Sequence, residues 1–210
     1  MAIITTAQYK SYAGISVSTY DTQLNVLIPA IQAQLEDICD RSFDTGTFTE
    51  YIDGAGSPTI GVRCPPIASV TSVQLIDRSE TVVYTYDATS YKVDSAPGLI
   101  SRQVSGFGGT YNATAPLPSP MPFERQPQFP DGWRNIKVVY VGAYGASPGT
   151  AVPASLQLLM YQLVDAAFAQ IGQDRGLKSE TLGHYKYDRF DGSFWSQFKE
   201  QIQHWKRVAS

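Results

Sequence analysis

Apolar positions recur every three or four residues near both ends of the chain, whereas residues 43–144 break into short β-rich runs separated by turns. Leu24, Leu27, Ile28, Ile31, Leu35 and Ile38 follow at spacings of 3, 1, 3, 4 and 3, which predicts a helix over 22–40. Asp21 before it and Arg41 after it suit the helix dipole. Pro29 removes one backbone donor inside that stripe and predicts a kink there or a later start. Upstream, Thr5-x-x-Gln8 has the form of a capping box, and Gly14 marks the stop of a short helix over Thr6 to Ala13. The longest periodic signal is Leu156, Leu159, Met160, Leu163, Val164, Ala167, Phe168 and Ile171, which predicts a helix from Pro153 as first residue to Ile171, with Gly172 as its stop. Phe194, Phe198, Ile202 and Trp205 predict a last helix over about Ser193 to Val208.

Between the helical parts the period is two. Val70, Val73 and Leu75 with Thr71, Ser72 and Gln74 among them approximate one strand over Ser69 to Asp77. Further strand-like runs are Phe48 to Ile52, Thr59 to Arg63, Thr81 to Tyr86, Tyr91 to Val93, Gly98 to Arg102 and Asn135 to Val141. Their spacing predicts a small, mostly antiparallel sheet. Residues 116–130 hold six prolines and are expected to form an extended loop of polyproline character. The fold class expected is α+β: a helical bundle with an inserted small antiparallel β-sheet domain and an extended C-terminal tail and helix. In domain terms, 1–43 supplies the N-terminal helices, 44–150 the β-rich insertion with its proline loop, 151–174 the long bundle helix and 175–210 the C-terminal arm. The simplest burial of both stripes packs helix 22–40 against helix 153–171.

Composition narrows the function. The chain has 210 residues, of which 17% are charged, against about 25% in an ordinary soluble domain. Tyr contributes 13 residues, Gly 17 and Pro 13, a surface suited to protein partners. A net charge of −3 argues against a general nucleic-acid binder, which needs an excess of Lys and Arg. Cys39 and Cys64 cannot build a disulfide framework, no apolar run approaches the roughly 18 residues of a membrane span, and the start lacks the basic and apolar regions of a signal peptide. Synthesis in a cytoplasm, with reduced cysteines, is the expectation.

The chain holds no Walker loop, no G-x-S-x-G and no H-E-x-x-H; Gly106-Phe107-Gly108-Gly109 lacks the dinucleotide spacing. Its two histidines, His184 and His204, carry no metal-site spacing. No set of nucleophile, base and electrophile emerges, so neither an enzyme nor a cofactor is expected. Glu36, Asp37, Asp40 and Asp44 gather near the end of helix 22–40, with Glu36 and Asp40 four apart on one face, and suit a solvated or partner-facing edge. Near the C-terminus Phe194, Trp195, Phe198 and Trp205 mix with Lys199, Lys206 and Arg207. That segment reads either as a helix closing the core or as an interaction helix. Residues 1–50 carry two bases and six acids, and residues 175–210 seven bases and four acids. Oppositely charged ends suit head-to-tail association into a ring, with Glu36, Asp40 and Arg189 as expected subunit contacts.

The order of motifs resembles the head–tail connector, or adaptor, proteins of long-tailed bacteriophages. A short helix precedes a longer one ending in Cys39-Asp40-Arg41-Ser42-Phe43; Tyr51-Ile52-Asp53-Gly54 and Pro65-Pro66-Ile67-Ala68-Ser69-Val70 follow. Then come Tyr91-Lys92-Val93 with Gly98-Leu99-Ile100, Asn135 to Tyr140 with Gly142-Ala143-Tyr144, Val152-Pro153-Ala154, and Ser179-Glu180-Thr181-Leu182-Gly183. Pro29 and the length of the proline loop depart from the family's pattern. The resemblance implies a structural virion protein of the neck: a ring of twelve subunits between the portal and a stopper or tail-completion protein. Double-stranded DNA would pass through its central channel without sequence-specific binding, and no membrane is involved. It also implies that the C-terminal segment reaches the portal, through Trp195, Phe198, Trp205, Lys206 and Arg207. A single-stranded nucleic-acid-binding protein is the alternative, and only the C-terminal mixture of aromatics and bases offers what it would need.

Overall fold

In the computed structural model the described residues are 2–103, 128–145, 151–169, 179–182, 185–188 and 194–206. They form two compact units, one from Met1–Arg41 with Val152–Arg207, the other built on Ser42–Ala151.

The first unit is helical. Thr5 and Gln8 make the reciprocal capping box expected, and α1 runs Thr6–Ala13 to a left-handed Gly14 (φ 69°). Helix α2 spans Asp21–Cys39 with Pro29 inside it, so the later start is set aside. Pro29 is exposed, as are Asn25 and Val26 on the preceding turn. Of the predicted stripe, Leu24, Ile28, Ile31 and Leu35 are buried, while Leu27 and Ile38 are only half so. Helix α3 covers Ala154–Ala169. Pro153 stands one residue before it, its carbonyl accepting from the N–H groups of Leu156 and Gln157 (both 3.0 Å). Ile171 and Gly172 lie outside the described residues. Leu156, Leu159, Met160, Leu163 and Val164 of α3 are buried, as are Ile3, Ile4, Tyr9 and Ile202 of the same unit, and α3 packs against α1 and α2.

The C-terminal helix departs from expectation. Phe194–Phe198 is a 3₁₀ segment, and the α-helix that follows, α4, is only Lys199–Gln203. Winding at three residues per turn brings Trp195 and Phe198 into line. A second difference lies between α3 and this segment: strands β8 (Ser179–Leu182) and β9 (Tyr185–Asp188) pair antiparallel within the C-terminal arm, where no strand was predicted.

The second unit is β. Its strands are β1 (Gly46–Gly54), β2 (Thr59–Gly61), β3 (Ile67–Ile76), β4 (Val82–Thr85), β5 (Tyr91–Asp94), β6 (Leu99–Arg102) and β7 (Gly132–Gly142). They make two antiparallel sheets rather than one: four strands in the order β1-β7-β3-β4, and three in the order β2-β6-β5. Alternation along β7 buries Ile136, Val138 and Tyr140. These meet Val73 and Leu75 of β3, Ile60 of β2, Ile100 of β6, Tyr86 and Phe129 in one apolar cluster. Phe129 belongs to the proline-rich segment, yet its ring is fully buried and its N–H bonds to the Ser57 carbonyl (2.9 Å). The described end of that segment is thus pinned into the core, while residues 116–127 lie outside the described residues.

Candidate interaction surfaces

Polar groups in the β unit are spent on holding strands together. The Tyr140 hydroxyl donates to the Glu50 carboxylate in a very short hydrogen bond and accepts from the Cys64 N–H (3.0 Å). Glu50 also accepts from the Arg63 N–H (2.9 and 3.0 Å). Burial, then the hydrogen bond and charge of Glu50, holds the Tyr140 proton far above the ordinary tyrosine range. Beside β5 and β6, the buried Arg102 donates to the Ser90 hydroxyl (2.8 Å) and carbonyl (3.0 Å) and lies 4.5 Å from the centre of the Tyr86 ring. Burial pushes the Tyr86 hydroxyl up and the Arg102 guanidinium down in pKa. These clamps tie secondary structure together. Among the described residues no group of three or more His, Cys, Asp or Glu side chains could hold a metal ion.

What the β unit does offer is a surface. Ile52 pairs with Ile136 and Gly54 with Gly132, so Asp53 faces three residues, Trp133, Arg134 and Asn135. This bulge re-aims side chains at the end of the sheet. Trp133 is 79% exposed, the most exposed large hydrophobic residue described. Arg134 adopts a left-handed backbone (φ 47°), which costs a non-glycine residue roughly 1–2 kcal/mol. The Asp53 carboxylate offsets that by accepting the Arg134 N–H (2.6 Å). The guanidinium then stands over the rings of Tyr51 (5.0 Å) and Trp133 (5.5 Å). An open cleft of about 630 Å³ runs from these residues to Asp77, Arg78 and Glu80 of the β3–β4 turn. Trp, Tyr and Arg around a mixed-charge rim are the residue types that anchor protein partners. Sequence reasoning missed Trp133, although its odd number puts it out of phase with the buried Ile136, Val138 and Tyr140.

The helical unit carries the sites foreseen from sequence. Trp195, Phe198 and Trp205 are each half-buried, and Lys206 is exposed. Trp205 lines a groove of about 300 Å³ with Ser155, Leu158, Gln162, Gln201 and His204, and Leu158 there is 47% exposed. Arg207 and Arg189 lie outside the described residues. Glu36 is half-buried and accepts from the Gln32 amide (3.2 Å), whose carbonyl oxygen in turn accepts the Ile3 N–H (2.9 Å). Asp40 is exposed and stands just past the helix as its left-handed cap (φ 52°). Burial raises the Cys39 thiol to about 11, while Arg41 and Lys206 act against that rise. Lys206 therefore sits beside the acidic end of α2. The opposed charged ends inferred from sequence are, for this residue, neighbours within one chain, because α2 packs against α4.

No family model matches the sequence, and no curated protein matches it. Solved structures do. A chain in the neck of an empty GTA particle computed with C6 symmetry superposes with a TM-score of 0.53 at 15% identity, over 99% of this chain and 91% of that one. A chain in the virion of a native gene transfer agent (GTA) particle gives 0.53 at 13%, over 99% and 91%. A chain in the neck of a native GTA particle computed with C12 symmetry gives 0.50 at 16%, over 97% and 88%. Over nearly its whole length, then, this chain has the fold of chains found in gene transfer agent particles and their necks.

Proposed function

We propose that this protein is a structural component of the neck of a virion or virion-like particle, with no catalytic role. More specifically, it is a head–tail adaptor whose copies form a ring of twelve between the portal and a stopper or tail-completion protein, leaving a channel for double-stranded DNA. The observation that carries the reading is the extent of the likeness: it spans 99% of this chain and 91% of a chain from a neck, helical and β parts together. C6 and C12 symmetry in the matched necks supports a homo-oligomeric ring here. A net charge of −3 per copy is consistent with DNA sliding through, since an excess of Lys and Arg would grip the duplex by counterion release.

In this reading the helical unit meets the portal through Trp195, Phe198, Trp205, Lys206 and Arg207. Glu36 and Asp40 of one copy lie against Arg189 of the next. The domain division follows the same logic, with residues 1–43, 151–174 and 175–210 as the portal-side part and 44–150 as the insertion. Mass photometry and negative-stain microscopy of the full chain with its portal protein provide the test. Twelve-fold rings seated on the portal are the expected result. Persistent monomers that hold single-stranded oligonucleotide tightly at about 150 mM salt would overturn the reading in favour of a nucleic-acid binder.

A further inference from the structure

Among the described residues, the outer edge of β1 has a row of backbone groups without partners. Tyr86 donates its N–H to the Val73 carbonyl (2.9 Å), so Val73 turns its backbone groups toward β4. Val138, opposite Val73 on β7, must then turn toward β1, where Glu50 is its partner. Alternation from Glu50 leaves Thr47, Thr49 and Tyr51 with N–H and C=O aimed away from the sheet. None of these backbone groups has a partner among the described residues. The register from Gly46 to Ile52 runs without a shift, and the Thr47 and Thr49 side chains are exposed. No Lys or Pro lies in this stretch, its one charged side chain, Glu50, is engaged by the Tyr140 hydroxyl and the Arg63 N–H, and the bulge comes only after Ile52.

The opposite edge of the same sheet is β4. Since Tyr86 points inward, Thr85 points its backbone outward. Val82 and Val83 beside it are 44% and 55% exposed. A register shift opposite Ile76 makes Val83 a bulged residue, which bends this edge. Each strand of the sheet is antiparallel to its neighbour in the order β1-β7-β3-β4, so β4 runs opposite to β1. A second copy placed with its β4 along β1, in the same orientation, continues the antiparallel alternation.

We infer that β1 of one copy pairs with β4 of the next, joining the four-stranded sheets of neighbouring subunits edge to edge. The contact is heterologous: each copy uses two different edges and leaves one of each free, so the assembly closes only as a ring. The bend at the β4 bulge suits a curved rather than a flat continuation. Pairing would cover Val82 and Val83 and place them among the β-branched Thr47 and Thr49. This rests on the ring reading above and adds to it which surfaces touch.

The test uses the full chain in the rings assembled with portal. A Thr49→Cys, Thr85→Cys double variant, and its Thr47→Cys, Thr85→Cys counterpart one register step away, are oxidised in the assembled state. Native Cys39 and Cys64 are 0% and 3% exposed and stay out of the reaction. A ladder of covalent multimers on a non-reducing gel is expected from one of the two pairs, and monomer only from each single-cysteine variant. Thr49→Pro gives a second measurement. The N–H it removes points away from β7, so the internal ladder is kept while the edge loses its central donor. It should unfold at a denaturant concentration close to the wild type yet form no rings. Covalent dimers from Thr49→Cys alone would show β1 meeting β1 and overturn the inference. So would wild-type rings that give no ladder from either pair. In that last case the ring reading stands and only the edge pairing falls, whereas a wild-type chain that never forms rings overturns both.

Discussion

The two units of this chain are held by different physics. In the helical unit the buried residues of α2 and α3 are almost all apolar, and stability follows from covering stripes that repeat every three or four positions. Gln32 is its one buried polar side chain among the described residues. In the β unit the apolar cluster is laced with polar clamps and close backbone approaches. Gly54 shows the difference most clearly: a Cβ there would stand 1.7 Å from the Pro130 carbonyl oxygen and 2.8 Å from the Asn135 side-chain oxygen. At Gly14 in the helical unit nothing lies within 4 Å, and only the left-handed torsion of 69° asks for glycine. One glycine answers to crowding and the other to its own backbone. Gly54→Ala should therefore destabilise by about 3 kcal/mol, at the upper end for overpacked sites, and Gly14→Ala by about 1 kcal/mol. Urea titration of the full chain measures both. Equal losses would show that the β unit yields at Gly54 as freely as a helix end does.

That contrast also explains what could be read in advance. Helical stripes are local, so Leu24 to Leu35 and Leu156 to Val164 announced α2 and α3 to within a residue or two. Strand existence was legible from β1 to β7 for the same reason. The split into two sheets was not, because β2 reaches β6 across some 40 positions and no local pattern records that pairing. The 3₁₀ winding of Phe194–Phe198 and the pairing of Ser179–Leu182 with Tyr185–Asp188 were hidden because elements this short have periods that cannot be told apart. Among candidate surface residues, Trp195, Phe198 and Trp205 stood out by composition. Trp133 did not: alternation back from Ile136 already turns it outward, but the cleft it borders with Tyr51 and the β3–β4 turn is assembled from three separate parts of the chain. The supposed separation of acidic and basic ends failed at Lys206 because distance along the chain says nothing about where α2 and α4 meet.

A second break of the comparison targets the Tyr140 clamp. Tyr140→Phe keeps the ring in the core but removes the hydroxyl shared by Glu50 and the Cys64 N–H. The buried Cys64 donor loses its acceptor, and a hydrogen bond to a charged group is lost, so the expected cost is about 2 kcal/mol. Equilibrium unfolding checks it. A loss below about 0.5 kcal/mol would mean that the bonds from Arg63 to Glu50 hold these strands without help from Tyr140.

The smallest effect belongs to the helical unit and concerns a buried titratable link there. Tyr9 is fully buried, and its hydroxyl donates to the exposed Asp165 carboxylate (3.2 Å). Burial first, then the charge and hydrogen bond of Asp165, pushes its pKa from 10.0 to about 12. The sign follows from which state keeps the proton. Between pH 10 and 12 the unfolded chain has lost it and the native chain has not, so the native state binds more protons and stability falls as pH rises. Below pH 10 both states are protonated and the group contributes no slope. Tyr9→Phe should accordingly cost little at pH 7, about 0.5–1 kcal/mol for an ordinary hydrogen bond. Above pH 10 it should flatten the decline, and the variant's unfolding midpoint should approach that of the wild type. The Tyr140 clamp titrates in the same direction in both proteins, so the difference between the two curves isolates Tyr9. Parallel curves from pH 8 to 11 would show that Tyr9 gives up its proton as readily in the fold as outside it, and that the helical unit has no buried titrating link.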